Sequence, residues 1–382
     1  MYLNEYGVGI IGFGFMGRTH TYAYRTIPFF YDNLPFKTKL VGVCSRSHET
    51  SLRAKEEFGF EFASSDPDRL FERDDIHIIN ICTPNDSHKD LLKKALMAGK
   101  HVYCDKPMTV SGDEALEVLE ILQNDAAAGQ LTTQMAFQCR FFPAVMRARQ
   151  MIDEGLIGTP ISFRACFLHS SSVDQAKPAG WRNADNSKGG GVIFDLGSHL
   201  FDMVYYLMGE FSNINVRKHV LHTSRMDKSG NLVRVNAEDY FMAMAQMKNG
   251  ALGTLEASKI ATGINDELRL EIHGDRGAIR FNLADPDYLE YCDNTAPERP
   301  YGGMKGFLRI ECLQRYEKPG GIFPQPKVAS GWLRAHVHSL YNFMSCVDAG
   351  TQPSPSLIEG AYIQYVMEKA FESDRLQGRV EL

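Results

Sequence analysis

The sequence predicts an α/β chain: an open, doubly wound parallel sheet, followed by a second α/β domain with a large, mainly antiparallel sheet. Three observations predict it. In the first third, short apolar runs alternate with longer amphipathic ones. A glycine-rich turn follows the first apolar run. Past residue 135 the alternation gives way to strand after strand with turn residues between them. The expected division is 1–135 for the first domain and 136–382 for the second, with the last helices packing on either sheet.

The apolar runs 7–11, 39–44, 76–82, 101–104 and 132–137 read as strands. Between them, 87–98 sets Leu91, Leu92, Ala95 and Leu96 at helical spacing, and 111–127 does the same with Ala115, Leu116, Leu119 and Leu122. Ser111 is the expected N-cap of the second helix, with Glu114 three residues on. Strands alternating with helices pair in parallel through right-handed crossovers. Residues 141–155 predict one more helix, stopped by Gly155 and Gly158. Strand patterns then cover 159–168, 213–222, 239–248, 251–259 and 268–274. Lys248-Asn249-Gly250-Ala251 is a hairpin signal, since Asn-Gly accepts positive φ at both central positions. Residues 284–330, rich in Pro, Gly and charge, are expected to be long loops. Helical pattern returns at 336–348 and 357–376.

Composition narrows the function classes. With 382 residues, 44% hydrophobic and 23% charged, the chain can bury two cores and is not a disordered polymer. A formal net charge of −6 leaves no cationic surplus for a phosphate backbone, so no nucleic-acid partner is expected. No stretch approaches the about 18–20 apolar residues of a membrane helix, and the first residues carry no basic-then-apolar leader. The eight cysteines form no CxxC pair and have no zinc-ligand spacing with a histidine. They read as small buried hydrophobes in a reducing cytoplasm, with no metal site.

Gly12-Phe13-Gly14-Phe15-Met16-Gly17 is a G-x-G-x-x-G between a strand and a helix, the context that dinucleotide binding requires. Gly12 permits the tight turn, Gly14 removes a Cβ from the path of a pyrophosphate, and Gly17 allows close packing of the helix. Gly12, Gly14, Phe15, Met16 and Gly17 are thus expected at the cofactor, whose phosphates would meet the helix N-terminus. The second strand ends in Cys44-Ser45-Arg46, 28 residues from Gly17 to Ser45, with no acid for a ribose 2′-OH. Ser45 and Arg46 can donate to a 2′-phosphate, so NADP is favoured over NAD. Asp105-Lys106-Pro107 follows a strand end, where ligands of open parallel sheets bind. In Gly189-Gly190-Gly191-Val192-Ile193-Phe194-Asp195-Leu196-Gly197-Ser198-His199, Asp195 and His199 fall on one helix face. An acid beside an imidazole suits proton transfer at neutral pH. Taken alone, the same two residues also suit a helix cap and a satisfied core histidine.

Together these motifs, with Thr83-Pro84-Asn85 and His88 after the 76–82 strand, make the chain resemble the Gfo/Idh/MocA family of oxidoreductases along essentially its whole length. The resemblance implies a Rossmann domain, then an α/β domain whose large sheet often forms the oligomer interface, here as a homodimer or homotetramer. It implies hydride transfer between NAD(P) and a hydroxyl or carbonyl carbon of a sugar, sugar derivative or cyclitol. Carried over by motif, Lys106 lies beside the nicotinamide, His199 is the acid/base and Asp195 supports it. Ser45, Arg46, Thr83, Pro84, Asn85, His88, Asp105 and Lys106 join the glycines around the cofactor. Arg140, His169, Trp181 and Arg182 are candidates for sugar hydroxyls and apolar faces. The family's lysine motif usually begins with Glu; Asp105 is one methylene shorter. The same scaffold also supports redox-neutral glycoside cleavage with tightly bound NAD, and non-catalytic dinucleotide sensing. The lysine, aspartate and histidine together argue against the sensor.

Overall fold

The chain is described here from a computed structural model, which covers residues 4–300, 303–313, 318–320 and 331–382; the side chains of 182 and 183 lie outside the described set. It forms two compact units, Met1–Phe141 with Glu317–Gln364, and Phe142–Tyr316 with Tyr365–Leu382. The sequence expects one break near 135 and leaves the packing of the last helices open; the first unit runs to Phe141 and takes in Glu317–Gln364.

In the first unit β1 (Asn4–Ile11), α1 (Phe15–Phe30), β2 (Phe36–Cys44), α2 (His48–Phe58), β3 (Phe62–Ser64), α3 (Asp68–Phe71), β4 (Ile78–Ile81), α4 (His88–Met97), β5 (His101–Cys104), α5 (Gly112–Asn124) and β6 (Thr133–Met135) follow in order. The sheet order is β3-β2-β1-β4-β5-β6, all parallel. That is the doubly wound dinucleotide-binding order, with its reversal between β1 and β4. β3 escapes the sequence reading because three residues are too few to show a period. Ser111 caps α5 as expected, its hydroxyl accepting from Glu114 N at 3.2 Å. Glu114 reaches back to Val110 N instead of the cap residue's own N–H.

The second unit contains α6 (Pro143–Asp153), β7 (Pro160–Leu168), α7 (Trp181–Ala184), α8 (Ser198–Met208), β8 (Phe211–His219), β9 (Ser224–Met226), β10 (Leu232–Arg234), β11 (Tyr240–Met247), β12 (Leu252–Ser258), β13 (Glu267–Gly274), β14 (Gly277–Asn282), β15 (Tyr288–Asp293) and β16 (Leu308–Glu311). After α9 (Trp332–Ala349) and α10 (Leu357–Leu376), β17 (Arg379–Glu381) completes a nine-stranded sheet, β16-β15-β14-β13-β7-β12-β11-β8-β17. β7 and β12 run parallel; every other neighbouring pair of described strands is antiparallel. The expectation of long loops over 284–330 is corrected by β15 and β16, whose charged, aromatic residues hide a strand pattern at the sheet edge. The hairpin at 248–250 exists, but Gly250 takes positive φ (93°) and Asn249 does not. Gly250 N donates to Met247 O, and Met247 N to Ala251 O. This is the three-residue turn with glycine in the left-handed position.

The last helices divide. α9 packs in the first unit, where Val337, Leu340, Phe343 and Met344 share a core with Val8, Ile10, Tyr24 and Val43. The end of α10 serves the second: Ser373 Oγ accepts from Val216 N at 2.8 Å, and Asp374 Oδ1 from Lys218 N at 3.0 Å. Among the described residues no helix is long and apolar enough to cross a membrane.

Candidate active site

In the first unit the glycine turn begins where β1 ends, beside the reversal of strand order. Gly12 has φ +94°, and a Cβ there would stand 2.5 Å from Cys82 O at the end of β4. A Cβ on Gly17 would meet Gly12 O at 2.2 Å, so the third glycine serves the packing of α1 on its own turn. Gly14 differs: nothing of the protein lies within 4 Å of its Cβ position. The fold therefore does not need this glycine, whereas a phosphate over the N-terminus of α1 does. The turn thus fits a dinucleotide. Phe15 is exposed and stacks on Trp332 at 5.6 Å between centroids, a partner the sequence reading missed. A cavity of about 410 Å³ lies between α1 and α2, lined by Gly14, Phe15, Arg18, Thr50, Arg53 and Glu57. Its two arginines were also missed, because they lie on helix faces that read as solvated.

At the end of β2, Ser45 Oγ donates to Ser47 O (2.8 Å) and shares a hydrogen with Ser51 Oγ (2.9 Å), while Arg46 is exposed. After β4, Ser87 Oγ donates to Thr83 Oγ1 at 2.7 Å and Asn85 is buried. After β5, Asp105 Oδ1 accepts from Lys106 N at 2.8 Å, and the Lys106–Pro107 peptide is cis. Lys106 itself is half-buried. The cofactor role expected of His88 is corrected. Its ring is fully buried, with Nδ1 2.9 Å from Pro107 O and Nε2 3.0 Å from Thr83 O. It ties together the loops after β4 and β5 and has no surface for a ligand. Arg140 is corrected too: it is 3% exposed and paired with Glu359 at 2.6 Å and Ser354 Oγ at 2.9 Å. This guanidinium secures the start of α10.

The second unit assembles the other group at the carboxyl ends of β7 and β12. Gly191 has φ +98°, and a Cβ there would fall 2.3 Å from Glu238 Oε1. Glu238 grips the following turn: Val192 N donates to its carbonyl (2.8 Å) and Ile193 N to its Oε1 (2.9 Å), while Oε2 accepts from Asn186 Nδ2. Burial pushes the Glu238 carboxyl up, against the pull of these N–H donors. The expected regular helix through Asp195 is replaced by a π turn over Ile193–Gly197, after which α8 begins. Such turns insert a residue into a helix and recur at functional sites. Asp195 pairs with Lys259 Nζ at 3.0 Å. His199 is buried, its ring against Phe167 at 6.1 Å. His169, just past β7, also packs on Phe167 and bonds Asp266 Oδ1 at 3.0 Å. Trp181 borders a separate cavity of about 450 Å³ with Asp185, Lys188, Asp227 and Asn236. The Arg182 side chain lies outside the described residues. Sequence reasoning missed Lys259 and Glu238. No spacing rule links them to the glycine run, although each adjoins a strand that was recognised.

Residues 6–130 match the profile described as oxidoreductase family, NAD-binding Rossmann fold, and 145–280 match the GFO/IDH/MocA C-terminal domain. The levoglucosan dehydrogenase of Pseudarthrobacter phenanthrenivorans is 30% identical, over 100% of this chain and 99% of that protein. The glucose-6-phosphate 3-dehydrogenase of Bacillus subtilis is 26% identical, over 96% of each. A structure of levoglucosan dehydrogenase in complex with NADH and levoglucosan superposes with a TM-score of 0.93 at 30% identity, covering 99% of both chains.

Proposed function

The chain belongs to the Gfo/Idh/MocA family of oxidoreductases, and from that premise we propose that it is a nicotinamide-dependent dehydrogenase acting on a hydroxyl of a small sugar or cyclitol. The observation that carries the reading is the full-length likeness to an enzyme held with both NADH and levoglucosan. The chain's own glycine turn supports it, since Gly14 leaves room that nothing else in the fold requires.

A bound nicotinamide dinucleotide would supply the acceptor for the hydride of the substrate's C–H. The chain's residues do the remainder. His199 takes the hydroxyl proton as the C–O bond becomes a carbonyl, and returns it in the reverse direction. Lys106, as ammonium, donates to the same oxygen and stabilises its developing negative charge. Asp195 accepts from the imidazole or from a neighbouring hydroxyl. Gly12, Gly14, Phe15, Met16 and Gly17 hold the phosphates, with Thr83, Pro84, Asn85 and Asp105 beside them. His169 and Trp181 remain candidates for the sugar.

The NADP expectation rests on Ser45 and Arg46. Ser45 is already engaged with Ser47 and Ser51, and the relative's structure holds NADH, which does not favour NADP. NAD is accordingly the first cofactor to test. A second copy of the chain is the proposed partner, across the uncovered face of the nine-stranded sheet. A cytoplasmic location fits eight cysteines that carry no disulfide.

The test is a panel of levoglucosan, myo-inositol and glucose 6-phosphate with NAD and NADP, followed by the absorbance of reduced nicotinamide. Lys106→Met and His199→Ala are expected to lower turnover by about 10²–10⁴, with NADH binding titrated separately so that any effect of Lys106→Met on the cofactor is set apart. Turnover that survives both substitutions overturns the role assignment.

A further inference from the structure

Lys259 directly follows β12 and is 5% exposed. Burying an ammonium costs several kcal/mol unless it is paired. Its partners are Asp195 Oδ2 at 3.0 Å and Gly191 O at 3.2 Å. The pair is unequally buried: the lysine side chain is 6% exposed and the carboxylate 33%. A dry ammonium behind a carboxylate that still reaches open space serves that carboxylate. The lysine's backbone is pinned as well, its N–H donating to Asp239 O (2.7 Å) and its carbonyl accepting from Ser172 N (2.8 Å). The turn that carries Asp195 is thus held from two sides, by Lys259 at Gly191 O and by Glu238 at Ile193 N.

We propose that Lys259 is a positioning residue of the dehydrogenase reaction: it keeps Asp195 ionised and aimed, so that His199 is the group that changes protonation. This rests on the reading of the site given above. The charged groups held against the turn that carries Asp195 are Lys259 at the end of β12, paired with Asp195 itself, and Glu238 ahead of β11, which accepts from Ile193 N; His199 follows four residues on, at the start of α8. Among them Lys259 is the cation paired with Asp195. Without it the carboxylate holds its proton to higher pH, because an adjacent opposite charge favours the ionised form.

The experiment compares the wild type with Lys259→Met, Lys259→Arg, Asp195→Asn and the double variant, measuring kcat/KM for levoglucosan with NAD across pH. Lys259→Met is expected to lower kcat/KM at neutral pH at least tenfold and to move its acid limb up by about one pH unit or more. Lys259→Arg keeps the charge and the wild-type limb. In the Asp195→Asn background, Lys259→Met costs less than a further twofold. If Lys259→Met alone does not fold, the double variant, which removes both charges together, still decides. An unmoved acid limb, or an equally large loss in the Asp195→Asn background, overturns the proposal while leaving the dehydrogenase reading intact. A wild-type enzyme silent across the whole substrate panel overturns that reading and this inference with it.

Discussion

In the six-stranded sheet, the ends of the central strands are buried on both faces: Gly7 to Ile11 in β1 and all of β4. In the nine-stranded sheet, burial alternates. Along β11, Phe241, Ala243 and Ala245 are buried while Met242 and Met244 are exposed. A sheet covered on both sides can act only at its strand ends, so the first unit concentrates its chemistry in the turns after β1, β4 and β5. A sheet with a spare face separates two tasks. Asp195, on the turn over Ile193–Gly197, meets Lys259 at the end of β12, while the face that carries Met242 and Met244 stays open. The buried charges differ in the same sense. In the first unit Arg140 and Glu359 bind each other and Ser354. In the second, Lys259 is buried behind a carboxylate that stays a third exposed.

The comparison is broken most sharply by acid, because the first unit holds His20 and His338 neutral. Burial drives His20 down to about 4, against the pull of Asp105 and Asn80. Burial, then the Arg334 charge, drives His338 down to about 3. Both values lie below the ordinary 6.5, so the unfolded chain binds protons that the folded unit refuses. Stability is therefore complete above about pH 6.5 and falls below it, by about 1.4 kcal/mol per pH unit for each histidine. By pH 4.5 about 5 kcal/mol is lost, comparable to the stability of a whole domain. Thermal unfolding followed from pH 7.5 to 4.5 should show this, with His338→Gln removing about half the slope. A midpoint indifferent to pH contradicts it.

Next in size is the Arg140–Glu359 pair. Burial pushes the Glu359 carboxyl up, but the Arg140 charge and hydrogen bonds, with Ser356 and Ser354, bring it below its ordinary value. Its contribution is present above about pH 4.5 and is lost as pH falls through the lowered value, a window beneath that of the histidines. Arg140→Met strands the carboxylate and should cost about 3 kcal/mol in urea unfolding at pH 7. Turnover per folded molecule should not change. Lost turnover in a fully folded variant would return Arg140 to the substrate site.

What was legible in the sequence follows from the range of each signal. Continuous apolar runs mark β1, β2, β4 and β5, and a four-residue spacing marks Asp195 and His199, because both signals are local. Lys259 was not legible: it meets Asp195 because the Ile193–Gly197 turn packs on β12, and that packing is tertiary. His88 was misassigned for a related reason. Its place in a motif says which loop it joins but not which way its ring turns, and here both ring nitrogens face backbone carbonyls. The π turn is equally hidden, since Glu238 sets its start from 45 residues farther along the chain.

The smallest effect on stability, and the largest on assembly, is expected on the open sheet face. That face carries Met242 and Met244, more than half exposed, over a cavity of about 760 Å³. Around it Arg164 and Arg280 bridge to Glu271, and Arg309 pairs with Asp285. Exposed methionines among charges of both signs suit a second copy of the same surface, because each basic group can meet an acid related by the two-fold axis. Met244 faces away from the core, between Asn215 and Thr254 on the flanking strands. Met244→Glu should therefore leave the unfolding midpoint within about 0.5 kcal/mol of the wild type. It should also place a charge where the copies meet and weaken the oligomer at least tenfold, as read by light scattering over a dilution series. An oligomer unchanged by this substitution, in a protein that still turns over, would mean that the spare face of the second sheet is not where the copies join.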